Sequence, residues 1–83
     1  MKEKIKALIE KYKDTTVDWV SVQGDYVIIS CSTKEHKLPY IALKILNKFP
    51  KVKSVHFTGG WVEHYYSRET LKWGGFKVKE HKK

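Results

Sequence analysis

The chain has 83 residues, a formal net charge of +8 and a single cysteine, with no apolar run near the roughly 18 residues that a membrane span needs. That excludes several domains, a disulfide-stapled secreted scaffold and a spanning helix. What is left is one small domain, read as soluble, without a signal peptide, in a reducing cytoplasmic (intracellular) setting. A domain this short buries only about 60–65% of its unfolded surface, so its core is modest and Cys31 reads as one of its small buried hydrophobes.

Residues 2–13 read as an amphipathic helix. Ile5, Leu8, Ile9 and Tyr12 follow the i, i+3, i+4, i+7 spacing, with Lys and Glu on the opposite face. The stripe is short and carries no Trp or Phe, so packing on a sheet fits it better than lying on a membrane. Val17–Val22 and Tyr26–Ser32 then form a hairpin around Gly24-Asp25, which suits a type II′ turn with glycine first. A two-residue loop pairs Val22 with Val27, Val20 with Ile29 and Asp18 with Cys31 on the core side. Val17, Trp19, Ser21, Tyr26, Ile28 and Ser30 take the other side, which is unusually apolar for a surface turned to water.

Residues 33–37 read as loop, and a second helix runs from Leu38 to Lys48. Pro39 fits its first turn and Phe49-Pro50 ends it. A second hairpin pairs Val52–Thr58 with Trp61–Tyr66 across Gly59-Gly60, setting Phe57 opposite Val62 and Val55 opposite His64. Its outward side holds Ser54, His56, Trp61, Glu63 and Tyr65, whereas Tyr66 looks inward. Ser67–Thr70 reads as a turn and Leu71–Lys79 as a last strand, bulged at Gly74-Gly75, with Lys72 beside Tyr65 and Trp73 inward. Residues 79–83 form a frayed basic tail. The expected fold class is α+β in the order αββαβββ: a five-stranded, mainly antiparallel sheet with two helices packed on one face. The whole of 1–83 forms a single domain.

An open sheet face bearing rings must serve something, since monomers seldom expose large apolar patches. Residues 51–83 carry eight Lys or Arg against three acids, and the 51–79 stretch holds six of the eleven aromatics. Rings stack on bases and cations meet phosphates, so a non-catalytic nucleic-acid binder is the first reading, for DNA or RNA alike. Its candidate residues are Trp19, Tyr26, Lys53, His56, Trp61, Tyr65, Arg68, Lys72, Lys77 and Lys79. Sixteen of the seventeen cations are lysine, which favours backbone contact over base readout. The alternative is a small inhibitor or adaptor that docks the same face on an acidic protein surface, or on its own copy as a homodimer.

Other classes fare worse. His56 opposite Glu63, with Tyr65 and Lys72 near, could cleave RNA, but a lone His-Glu pair on a sheet is more often a surface pair. Cys31, His36, His56 and His64 lack the short paired spacings of a zinc site, so neither metal nor cofactor is expected. Lys and Glu enrichment with one Asn, one Gln and one Met is also a hyperthermophile habit, which offers a stability reading of the lysines.

Overall fold

The computed structural model describes residues 1–12, 14–59 and 63–76. Three helices and four strands follow in the order α1 (Lys2–Glu10), β1 (Thr16–Gln23), β2 (Tyr26–Ser32), α2 (Leu38–Lys48), β3 (Ser54–Thr58), β4 (His64–Ser67) and α3 (Arg68–Trp73). The class is α+β, and the described strands make one mixed sheet in the order β1-β2-β3-β4.

Two hairpins flank a crossover. β1–β2 and β3–β4 are antiparallel, but β2 and β3 run parallel, with Ile28 beside His56 and Ile29 beside Phe57. A parallel pair needs a long connection, and α2 supplies it, entered through a 3-10 turn at Glu35–Lys37. Among the described residues the sheet has four strands rather than the expected five and is only partly antiparallel.

One side of the sheet is sealed. Ile5 and Ile9 of α1, Ile41, Ile45 and Leu46 of α2, and Leu71 of α3 share a single core with Val20, Val27, Ile29, Val55 and Phe57 of the strands. All three helices thus cover the same face.

Within the first hairpin, the pairs Val22–Val27 and Val20–Ile29 stand as expected, and Gly24 takes φ +63°. The expected Asp18–Cys31 pair does not form. The register shifts between Val17 and Trp19, so that Val17 meets Cys31 and packs on the core while Asp18 is exposed. A regular ladder would have buried a carboxylate on the core side, and the bulge replaces it with a valine.

The second hairpin pairs Phe57 with His64, His56 with Tyr65 and Val55 with Tyr66, a register two residues from the expected one. β3 ends at Thr58 and β4 begins at His64, so the connection is longer than a two-residue turn. An even slip keeps every side chain on its face: Tyr66 remains inward, Tyr65 and His56 outward. Trp61 and Val62 lie outside the described residues.

The expected last strand begins instead as a helix. The Ser67 hydroxyl accepts from the Thr70 N–H at 3.2 Å, and the Ser67 N–H donates to the Thr70 Oγ1 at 2.7 Å, a capping box with threonine in the third position. The other end closes with Phe76 N–H on Leu71 O at 3.0 Å and Gly75 N–H on Lys72 O at 3.1 Å. Gly75 at φ +87° holds the left-handed position that this ending requires. Gly74-Gly75 is thus a helix stop and not a strand bulge. Leu71 is buried, Trp73 is 92% exposed rather than inward, and Lys72 leaves the sheet altogether.

Candidate binding surface on the open sheet face

With the helices on one side, alternation along each strand leaves the opposite face open. One row crosses all four strands: Ser21, Ile28, His56 and Tyr65. A second row runs Gln23, Tyr26, Ser54 and Ser67, and a third begins Trp19, Ser30, Thr58.

The large side chains stand at the margins. Trp19 on β1 is 48% exposed, Tyr65 on β4 is 61% exposed, and Tyr26 at the start of β2 is 42% exposed. On the inner strands the Ile28–His56 pair is flanked by Ser54 on one side and by Ser30 and Thr58 on the other, and both serines are buried. With strands about 4.8 Å apart, β1 and β4 lie roughly 14 Å from each other. The face therefore has rings toward its margins and half-buried Ile28, His56 and Thr58 along its middle.

Of the ten residues singled out from sequence, the structure gathers Trp19, Tyr26, His56 and Tyr65 on this face. His56 Nε2 lies 3.9 Å from Glu63 Oε2, and its ring meets Tyr65 edge-on at 6.4 Å. The register slip makes that His-Glu contact diagonal instead of directly opposite. Glu63 is well exposed, so the pair is a solvated one whose strength is small.

The cations go elsewhere. None of the residues of the four strands is Lys or Arg. Lys53 borders the face just before β3, and its ammonium sits 3.6 Å from the Asp25 carboxylate in an exposed pair. Arg68 heads α3 and turns toward the end of α2, donating to Leu46 O at 2.6 Å and Val52 O at 3.0 Å, with Phe49 O at 3.5 Å. Burial pulls its guanidinium down from the usual range. Lys72 is carried on α3. Trp61, Lys77 and Lys79 lie outside the described residues.

Two inward groups complete the chemistry. Cys31 is buried; desolvation first, and the nearby Asp18 carboxylate second, push its thiol above the usual range. Asp18 in turn accepts from the Ser30 hydroxyl at 3.3 Å. The His64 ring stacks on Tyr66 at 6.1 Å, on the core side with Phe57.

Among the described residues, no three His, Cys, Asp or Glu side chains gather to hold a metal ion, and no helix is long and apolar enough to cross a membrane. No family model, no curated protein and no solved structure matches the chain.

Proposed function

We propose that the protein is a non-catalytic binding protein that works through its open sheet face, and that the face docks a protein surface, first of all a second copy of itself. The observation that carries this reading is the partition of charge. In a chain of net charge +8, the ring-bearing face is the side whose strands hold no Lys or Arg. Two copies meeting there set no strand lysine against its counterpart, and the bordering Lys53 is paired with Asp25.

Shape supports the same occupant. Trp19 and Tyr65 stand on the two outer strands with Ile28 half-buried at the middle, so a two-fold pair can lay the rings of each copy across the middle of the other. Trp and Tyr are the usual anchors of such contacts.

Light scattering across a concentration series tests this. A mass twice that of the chain is expected at high micromolar concentration, and Ile28→Lys, which places a cation at the centre of the face, should return it to the monomer. A wild-type monomer at several hundred micromolar removes the proposal. Base stacking on the same rings is the second reading, favoured by the exposure of Trp19, Tyr26 and Tyr65. It predicts quenching of tryptophan fluorescence by single-stranded oligonucleotide, lost in Tyr65→Ala.

A further inference from the structure

The outer side of α2 carries a second, chemically different surface. Lys37, Tyr40, Lys44 and Lys48 follow one another at steps of three or four residues, the spacing that places side chains in a single column along a helix, and Lys51 follows in the turn beyond its end. Lys44, Lys48 and Lys51 are exposed, and Tyr40 is 54% exposed. Ile41, Ala42, Ile45 and Leu46 take the opposite side of the helix into the core. From Lys37 to Lys48 the column extends roughly 16 Å.

The absence of acids along it is the informative point. From His36 to Val62 the sequence contains no Asp or Glu, yet it contains five lysines. Among the described residues, no carboxylate pairs with Lys44, Lys48 or Lys51. Lysines placed for stability alone would be interleaved with glutamates, as they are on α1 with Glu3 and Glu10, because ion-pair networks and i, i+4 partners need both signs. On α2 the like charges of Lys44 and Lys48 stand one turn apart, which costs the helix a few tenths of a kcal/mol. Lys48 in the last turn is favoured by the helix dipole, but that does not call for a second lysine one turn before it. The Lys44 ammonium is moreover held over the Tyr12 ring, 5.1 Å from its centroid, which limits how far it can wander.

We infer that this column is a binding surface for the sugar-phosphate backbone of double-stranded DNA. Lys44, Lys48 and Lys51, with no carboxylate against them among the described residues, call for a ligand with closely spaced negative charge, and duplex DNA offers one charge per ~1.7 Å of its axis. A convex helix of about 10 Å diameter fits a major groove about 12 Å wide. Single strands are held mainly by stacking on successive rings, and along the ridge Tyr40 alone is an exposed ring among the described residues. The Tyr40 ring is engaged edge-on with Phe76 at 5.1 Å, and the Tyr12 ring lies beneath Lys44. With lysine in place of arginine, the contacts position the duplex without reading its bases.

Fluorescence anisotropy with a labelled mixed-sequence duplex of about 12 base pairs, at roughly 50 and 200 mM salt, tests the inference. Phosphate contacts from Lys44, Lys48 and Lys51 predict a slope of log K against log salt of about −2.7, a loss of roughly fortyfold between the two concentrations. Lys44→Glu/Lys48→Glu should weaken binding at least tenfold and remove about two thirds of the slope. Lys44→Gln/Lys48→Gln, with helical circular dichroism retained, should show the same direction should the charge-reversed protein fold poorly. Ile28→Lys, on the sheet face, should leave affinity no weaker, so failure of the paired-copy proposal does not touch this one. Four results overturn the inference: no duplex binding at the lower salt; wild-type affinity in both double variants; tighter binding to the single strand; or equal competition by poly-glutamate at matched charge, which would reassign the ridge to an acidic protein.

Discussion

Replacing Arg68 should destabilise the fold without disturbing any phosphate contact, and the magnitude follows from its hydrogen bonds. A single guanidinium nitrogen faces three carbonyl oxygens of the α2 exit, Leu46 O at 2.6 Å, Val52 O at 3.0 Å and Phe49 O at 3.5 Å. That nitrogen has two hydrogens, so two of the contacts are full bonds and the third is marginal. These carbonyls lie at the negative end of the α2 dipole, where a cation is favoured. Charged hydrogen bonds contribute about 1.5–3 kcal/mol each when buried. Arg68 is only partly buried, so Arg68→Met should cost roughly 2–3 kcal/mol. An entropy of unfolding near 2.1 cal/mol/K per residue over 83 residues makes 1 kcal/mol worth about 6 °C, and the expected fall in Tm is therefore about 12–18 °C. Arg68→Lys keeps the charge but can follow the carbonyls less well, and should lose about half as much. Thermal unfolding by circular dichroism and calorimetry reads both. A drop under about 5 °C for Arg68→Met, or equal drops for the two variants, would refute the reasoning. Loss of duplex affinity in folded Arg68→Met would return Arg68 to the phosphate-binding set.

Gly59→Ala should cost about 1–3 kcal/mol by urea unfolding, because φ +133° is glycine territory and the added Cβ would meet the Cys31 carbonyl oxygen at 3.0 Å. The Cys31 thiol, raised by burial and by Asp18, stays protonated where an exposed thiol ionises, so its alkylation near pH 8.5 should be far slower folded than in denaturant. The sign for stability follows from the same shift. The folded protein holds its proton more tightly than the unfolded chain, so this contribution is complete below the unfolded thiol range and is lost as pH rises beyond it. Chemical unfolding from pH 7 to 10 should show a shallower alkaline decline in Cys31→Val than in wild type.

The helices and the face alternation were legible because hydrophobic period is local. Ile5, Leu8 and Ile9 announce α1, and the even slip in the second hairpin left His56 and Tyr65 outward despite a wrong register. What escaped was short or competitive. α3 has six residues, too few for a 3.6 period to show, and its capping box uses Thr70 where Glu or Gln is the usual signal. Gly74-Gly75 reads as bulge or helix stop with equal ease until the hydrogen bonds from Gly75 and Phe76 decide it. The bulge at Asp18 had a signal in the sequence: a carboxylate on the core side of a regular ladder is itself a reason to expect an irregularity. Candidate residues on the sheet were easier to place than those beyond it, since Lys72 and Arg68 depended on the misread last element.

The sequence presents lysines and rings as one intermingled population, and among the described residues the fold separates part of it, although Tyr40 stays on α2 and Trp73 stands on α3 beside Lys72. Rings stand on the strands Thr16–Gln23, Tyr26–Ser32 and His64–Ser67, which carry no cation, while the lysines of Leu38–Lys48 stand on a helix that carries no acid. A single surface using rings for bases and lysines for phosphates would need both on one side, within reach of the same nucleotide. Here the sheet lies between the strand rings and the α2 lysines, and Tyr40 stays with the lysines. Two surfaces with different ligands accord with that separation, and the arrangement has a quantitative consequence if both proposals hold. Copies joined at their sheets would turn their α2 columns outward, so a second duplex contact would be intramolecular and governed by effective concentration. Affinity for long DNA would then exceed that for the short duplex by one to several orders of magnitude, and Ile28→Lys would abolish the excess while leaving the short-duplex affinity in place.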